Sequence, residues 1–110
     1  MDNSAMNYKD ELYRIIIRCT ERTCGYTPVF GRQGGSPEET VIRWLSLRVM
    51  LECGLTELEI RLYTGVSKAT VDRVRRDFPM FIKERGPRAK KWYQLIKRRV
   101  KRLENALIQN

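Results

Sequence analysis

The segment from Thr56 to Phe78, TELEIRLYTGVSKATVDRVRRDF, limits the fold of this chain more than any other segment. A short amphipathic segment with Leu58, Ile60 and Leu62 precedes a central turn, and after the turn Val71, Val74 and Phe78 recur at helical spacing. Thr56 and Glu59 have the spacing of a capping box, which marks the start of a helix. Gly65 suits the turn, because a residue without a Cβ adopts positive φ at little steric cost. The segment therefore predicts a helix-turn-helix.

The second helix of this motif is expected to begin at Ser67, a good N-cap residue. Away from its apolar stripe the helix is small and polar at its N-terminal end and basic farther along, with Lys68, Ala69, Thr70, Asp72, Arg73, Arg75 and Arg76. An outer face of this kind suits the major groove of DNA. We predict base contacts from Ser67, Lys68, Ala69, Thr70 and Arg73, and a phosphate contact from Arg76.

Arg61 departs from the usual pattern of the motif. It lies four residues before Gly65, where a small residue normally lets the two helices approach closely, so we expect its long side chain to bend outward. The alternative interpretation is two ordinary amphipathic helices joined by a glycine turn. The spacing of the apolar residues and the basic outer face of the second helix favour the helix-turn-helix.

Positive charge is distributed unevenly along the chain, which has a formal net charge of +9. Through Ile82 there are 12 basic and 11 acidic residues, whereas the remainder from Lys83 has 10 basic and 2 acidic residues. Nearly all of the excess therefore lies in the last quarter of the chain. Such an asymmetry indicates a polyanionic partner.

The length of 110 residues suits one domain with a modest core, which we assign to residues 1–110. An apolar content of 42% is typical of a folded chain. No apolar run approaches the roughly 20 residues of a membrane span. The first residues also lack the basic and apolar regions of a secretion signal. We therefore expect a cytoplasmic protein with no membrane partner.

The three cysteines predict neither a metal site nor a catalytic centre. Cys19, Cys24 and Cys53 occur in a chain without histidine, and their spacing is not that of a zinc knuckle. We expect free thiols that are buried or half-buried. No base is evident beside a cysteine and no pair of carboxylates stands in an apolar setting. We therefore expect no enzymatic activity, no metal and no cofactor.

Helical periodicity predicts three further helices outside the helix-turn-helix of residues 56–78, and these span residues 7–22, 37–53 and 88–108. A glycine-rich loop, residues 23–35, contains Arg32, which we expect to contact phosphate. Arg43 is expected on the outer surface of the next helix. Pro79 is expected to end the second helix of the motif, followed by a short turn through Phe81. The fold class is an all-α helical bundle.

The last of these helices combines an apolar stripe with a dense set of cations. The stripe consists of Ala89, Tyr93, Ile96, Val100, Leu103 and Leu107. It either packs onto its own domain or forms the seam of a homodimer. The cations for which we predict phosphate contacts are Lys90, Lys91, Lys97, Arg98, Lys101 and Arg102. Because like charges at this spacing repel one another, the cluster indicates a binding surface.

The helices from Glu38 to Phe78 resemble the C-terminal DNA-binding domain of the bacterial replication initiator DnaA, in the Trp-repressor-like group. The likeness is carried by the stretch from Gly65 to Val71, GVSKATV, whose glycine and final Thr-Val match the family. Its Ser-Lys-Ala stands where the family has aspartate, histidine and threonine. The resemblance implies that Lys68, Ala69 and Thr70 meet bases. It also implies that Arg43 lies near the phosphate backbone.

These features together predict sequence-specific binding of double-stranded DNA by a regulator of transcription or replication. Lys68 and Arg73 are best placed for purine edges, and Thr70 for a thymine methyl group or a phosphate. The alternative is a protein-interaction module, in which the basic helix docks on an acidic partner and the helix-turn-helix is only a scaffold. RNA binding by the basic helix is a third hypothesis.

Overall fold

The computed structural model describes residues 4–31 and 35–109. Over these residues the chain forms five helices and no strand. The helices are α1 (Ser4–Cys24), α2 (Pro37–Glu52), α3 (Glu57–Thr64), α4 (Lys68–Arg85) and α5 (Pro87–Gln109). The predicted all-α bundle, with its helix-turn-helix and long basic last helix, is confirmed. None of the described helices is both long and apolar enough to cross a membrane.

α2 is the central helix of the bundle and contacts each of the other four helices. It starts at Ser36, whose side chain accepts a hydrogen bond from the backbone N–H of Glu39, as its cap pattern predicts. Ile42, Leu45 and Met50 are almost completely buried. Burial of each such side chain contributes roughly 1.5–3 kcal/mol. α2 is thus packed on more than one side.

The helix-turn-helix consists of α3, the turn and the first part of α4. Thr56 and Glu59 form both hydrogen bonds of the capping box, at 2.8 and 3.2 Å. α3 ends at Gly65, whose φ of 80° lies in the left-handed region. Ser67 then caps α4. The local interactions predicted from the sequence are all present.

Two of the three apolar residues in the predicted amphipathic segment of α3 are exposed. Ile60 is completely buried, but Leu58 is 60% exposed and Leu62 is 76% exposed. α3 is only eight residues long and packs against α2 and α4. Residues four apart on a helix share a face, and the face that holds both leucines is turned away from the bundle. Of the three apolar residues of this amphipathic segment, only Ile60 therefore belongs to the core.

The expected break at Pro79 is also wrong, because α4 continues through this proline to Arg85 and ends at Gly86. Phe81, which we expected in a turn, is buried and stacks on Trp44 of α2 with 4.2 Å between ring centroids. Proline inside a helix costs about 3 kcal/mol or more, partly because one backbone hydrogen bond is missing. Burial of Phe81 against α2 offsets this cost, and it requires α4 to stay helical beyond the proline.

α1 and α5 pack side by side in opposite directions. Tyr8 near the start of α1 donates a 2.6 Å hydrogen bond to Glu104 near the end of α5. The apolar stripe of α5 is buried at Ala89, Ile96 and Val100, so its packing onto its own domain is confirmed over that part. A homodimer seam farther along the helix stays a prediction.

The three cysteines are free thiols, as expected from the sequence. Cys19 and Cys24 are buried and Cys53 is half-buried. Burial raises the pKa of Cys24 to about 11, and burial likewise raises the pKa of Cys53 to about 11. A thiol with a raised pKa is a poor nucleophile at neutral pH. These cysteines therefore belong to the packing of the bundle.

Candidate nucleic-acid interface

A cleft of about 590 Å³ lies where α2 meets the turn of the helix-turn-helix and the start of α4. Five of the predicted site residues line it, namely Arg43, Ser67, Ala69, Thr70 and Arg73. The rest of its described wall consists of Phe30, Gly31, Trp44, Gly65 and Val66. We call this space the α2/α4 cleft. It joins a side chain of α2 to the exposed beginning of α4, although the two are far apart in the chain.

Two arginines from different helices face the α2/α4 cleft. Nε of Arg43 donates a 2.8 Å hydrogen bond to the backbone carbonyl of Val29, which holds the side chain at the edge of the cleft. Arg73 is exposed on α4 and forms no ion pair within the described part of the chain. A guanidinium outside any ion pair retains its donors for carboxylate, phosphate or a purine edge.

Ser67 and Thr70 form a local hydrogen-bonded pair at the same place. The Ser67 hydroxyl oxygen accepts from the backbone N–H of Thr70 at 3.1 Å, and the two side-chain hydroxyls are also 3.1 Å apart. Because the Ser67 hydroxyl oxygen already accepts this capping hydrogen bond, it is less available to a ligand. The contact orients the Thr70 hydroxyl, which keeps its remaining hydrogen-bonding capacity and its methyl group.

Lys68 does not line the α2/α4 cleft. Its Nζ lies 3.0 Å from a carboxylate oxygen of Asp72 and 3.7 Å from one of Glu57 on α3. The hydrogen bond to Asp72 raises the pKa of Lys68, and the same contact lowers the pKa of Asp72. The ammonium group is thus drawn to the side where α3 and α4 meet. Sequence spacing alone offered no sign of the contact with Glu57.

Other cations of the motif are paired with neighbouring carboxylates. Arg76 contacts Asp77 through two nitrogens, at 2.9 and 3.2 Å, and does not line the cleft. Arg61 bends outward, as expected, and lies 3.2 Å from Glu57. Arg32 falls outside the described residues. Arg73 therefore differs from these cations of the motif, because it lines the cleft and they already pair with a carboxylate.

The predicted phosphate contacts of α5 fall on two faces of the helix, because residues 7 and 11 positions apart lie nearly in line. One face carries Lys90, Lys97 and Lys101, and the other carries Lys91, Arg98 and Arg102. Lys97 lies 3.8 Å from Glu52 and 4.7 Å from the ring centre of Tyr93. Lys97 and Lys101 line a small groove together with Glu52 and Glu104. The first face is thus partly neutralised by acidic groups.

The second face of α5 retains its full positive charge. Lys91, Arg98 and Arg102 are exposed and form no ion pair within residues 4–31 and 35–109. Helical spacing alone could not distinguish this face from the other, because Glu52 comes from α2. The contact between α2 and α5 decides which cations remain available.

Sequence reasoning missed the aromatic support of the α2/α4 cleft. Trp44 forms part of its wall and is held from behind by the stack with Phe81. The sequence predicts that the helix ends at Pro79, which would place Phe81 in a turn outside α4. No sequence signal therefore indicated that the Trp44 and Phe81 rings stack. The stack therefore supports the wall of the cleft beside Arg43.

The chain matches no protein-family model, no curated protein and no solved structure. Its function must therefore be argued from the two basic surfaces, the α2/α4 cleft and the second face of α5. The likeness of the stretch from Gly65 to Val71 to the DnaA motif stays a prediction.

Proposed function

We propose that this protein binds double-stranded DNA in a sequence-specific manner and acts as a regulator of transcription or replication. The observation that carries the proposal is the α2/α4 cleft, in which Arg43 stands beside the exposed start of α4. A helix-turn-helix uses this part of its second helix for base contacts and its neighbouring elements for the DNA backbone. The resemblance of the turn to that of DnaA supports the same use.

The first turns of α4 would enter the major groove. Ala69 and the methyl group of Thr70 suit a thymine methyl group, and the Thr70 hydroxyl suits a base edge or a phosphate. Arg73 lies one turn farther along and can donate two parallel hydrogen bonds to O6 and N7 of guanine. We therefore assign most of the specificity to Thr70 and Arg73.

Lys68 has a secondary role in this proposal. Its ammonium group reaches DNA only by leaving Asp72 and Glu57, whereas Arg73 breaks no ion pair of the described structure. A DNA phosphate could replace these carboxylates as the partner of Lys68, since both are anionic. We therefore expect Lys68 to contribute to affinity more than to base readout.

The phosphate backbone would be held by Arg43 and by the second face of α5, Lys91, Arg98 and Arg102. Each phosphate that a cation neutralises releases counterions, which supplies sequence-independent affinity and makes binding sensitive to salt. Long flexible cations also have few ways to distinguish base pairs. α5 therefore raises the affinity for any duplex, while α4 selects among them.

The alternative function is a protein-interaction module that uses α5 on an acidic partner. The cations on the second face of α5 favour it as a second candidate, because an acidic protein surface would satisfy them as DNA does. In that case the α2/α4 cleft would remain unused. The two functions differ in what Arg73 contributes.

Selection of binding sites from random duplexes, followed by titration of the selected and a scrambled duplex, tests the proposal. Arg73→Gln should weaken binding to the selected duplex by about 5- to 150-fold, corresponding to the 1–3 kcal/mol of a bidentate base contact. Binding to the scrambled duplex should change far less. Arg75→Gln is the matched control, because Arg75 is exposed on α4 but does not line the cleft.

Enrichment of no sequence would contradict specific binding. Equal effects of Arg73→Gln and Arg75→Gln on both duplexes would contradict the assignment of base readout to the cleft. Failure to bind any duplex, together with capture of an acidic protein by α5, would support the alternative function.

A further inference from the structure

A second cleft, of about 280 Å³, lies between α1 and α5 and is lined mainly by arginines. Arg18 and Arg22 come from α1, and Arg99 and Arg102 come from α5. Cys19 and Leu103 complete its described lining. We call it the arginine cleft. It shares no residue and no helix with the α2/α4 cleft, which is built from α2, α4 and the loops beside them.

No carboxylate balances these four arginines within the described structure. Arg18, Arg22 and Arg102 form no ion pair there, and Nη1 of Arg99 donates only to the hydroxyl of Thr23, at 2.9 Å. The acidic residues next to them in the chain have other partners. Glu21 accepts a hydrogen bond from Thr27, and Glu104 accepts one from Tyr8.

The buried thiol of Cys19 lines the arginine cleft together with the four arginines. Burial raises the pKa of Cys19, while the positive charges of Arg99, Arg18 and Arg22 act in the opposite direction. Arg18 and Arg22 flank Cys19 on α1, and Arg99 of α5 lines the same cleft. The fourth arginine, Arg102, borders the same cleft.

Four cations around one concave space repel each other, and this repulsion disfavours the folded state unless an anion enters. Guanidinium is planar and presents its N–H donors as a fork that matches the oxygens of phosphate. Each helix contributes two guanidinium groups to the cleft. Four such groups match two neighbouring phosphate groups better than a single phosphate group. Cys19 and Leu103, the other lining residues, carry no negative charge that would compete with a phosphate for the arginines.

We propose that the arginine cleft is a binding site for two linked phosphate groups. The two groups come either from a small diphosphate, such as that of a nucleotide, or from adjacent phosphates of a nucleic-acid backbone. The site is separate from the one proposed for base readout, so it can be present whether or not α4 binds DNA. Arg102 also belongs to the second face of α5, but binding of a small diphosphate can be measured whether or not the protein binds DNA.

Calorimetric titration of the full chain with inorganic pyrophosphate tests the site. The variant Arg18→Gln/Arg22→Gln removes the two α1 arginines, both exposed, while the matched control Arg14→Gln/Lys83→Gln removes the same charge from exposed positions outside the cleft. Wild type and control should bind one pyrophosphate with similar affinity. The cleft variant should bind at least about tenfold more weakly, and monophosphate should bind weakly to all three proteins.

Thermal unfolding of each protein, with and without pyrophosphate, separates a binding defect from a folding defect. Pyrophosphate should raise the Tm of the wild type and the control, and should have little effect on the folded cleft variant. The nitrogen resonances of the arginine side chains should shift for Arg99 and Arg102 on titration. Absence of saturable binding to the wild type would overturn the proposal, and so would equal binding by wild type and cleft variant.

Addition of the selected duplex to the pyrophosphate complex identifies the source of the phosphates. Displacement of pyrophosphate in a 1:1 manner means that the cleft holds the DNA backbone. A ternary complex means that a small diphosphate is the ligand. If no duplex binds at all, the proposed function fails while the result with pyrophosphate alone still decides the arginine cleft.

Discussion

Nη1 of Arg48 on α2 donates a 3.2 Å hydrogen bond to the backbone carbonyl of Arg75 on α4. This carbonyl is the one that residue 79 would bond in a regular helix, and Pro79 has no N–H to donate. A side chain of the central helix thus replaces the missing backbone donor. The replacement allows α4 to continue past the proline, so that Phe81 reaches Trp44 behind the cleft.

Arg48→Met should lower the free energy of unfolding by about 1–2 kcal/mol, because the Arg75 carbonyl loses its donor. The cost should be smaller in a Pro79→Ala background, where the backbone N–H of residue 79 is restored. Urea denaturation of the two single variants and the double variant measures the coupling. Equal cost of Arg48→Met in both backgrounds would refute this link between Arg48 and Pro79.

Gly65→Ala should destabilise the protein by about 1–2 kcal/mol, the cost of placing a residue with a Cβ in the left-handed region. A Cβ at this position would meet no atom within 4 Å, so the destabilisation comes from the backbone alone. Gly31→Ala is the control, because Gly31 lines the same cleft without a positive φ and also has free space. Its unfolding midpoint should stay close to that of the wild type. Similar destabilisation by both variants would show that the conformation of Gly65 is not the cause.

The two faces of α5 should contribute unequally to DNA binding. Neutralising Lys91, Arg98 and Arg102 to glutamine should make the slope of log K against log salt shallower by roughly 0.9 for each phosphate that is no longer neutralised. Neutralising Lys90, Lys97 and Lys101 should change the slope less, because Glu52 already pairs with Lys97 on that face. Titrations of a random duplex at several salt concentrations provide the comparison. The reverse order would show that the paired face meets the DNA.

Stability should decrease in alkaline solution as the buried thiols titrate. The pKa of Cys24 is raised from 9.0 to about 11, and that of Cys53 likewise. Below pH 9 both states keep the proton, whereas above it the unfolded chain loses the proton first, so unfolding becomes more favourable until about pH 11. Denaturation at pH 8 and pH 10.5 measures the decrease, which Cys24→Ala/Cys53→Ala should reduce. An unchanged decrease in this variant would assign the effect to other groups.

Part of the candidate site could be predicted because its members are close in the chain. Ser67, Ala69, Thr70 and Arg73 share the start of one helix, so helical spacing alone groups them. The position of Lys68 could not be predicted in the same way, because Glu57 on α3 attracts its ammonium group. The aromatic wall also depends on a contact between α2 and α4.

The sequence by itself determined where most helices begin and end. The caps at Thr56 and Ser67 and the turn at Gly65 are interactions between residues within about four positions, so they depend little on the rest of the chain. α2 likewise begins at a local cap, the side chain of Ser36. Local chemistry also explains why the helix-turn-helix could be recognised before its packing was known.

Only the tertiary structure decided which faces these helices bury and which charges remain unpaired. α4 passes Pro79 because Arg48, 27 residues from Arg75, supplies a donor. Leu58 is exposed because α3 presents another face to the bundle. The arginine cleft exists because α1 and α5, at opposite ends of the chain, pack together. Each outcome depends on contacts between distant residues, which periodicity within a single helix cannot encode.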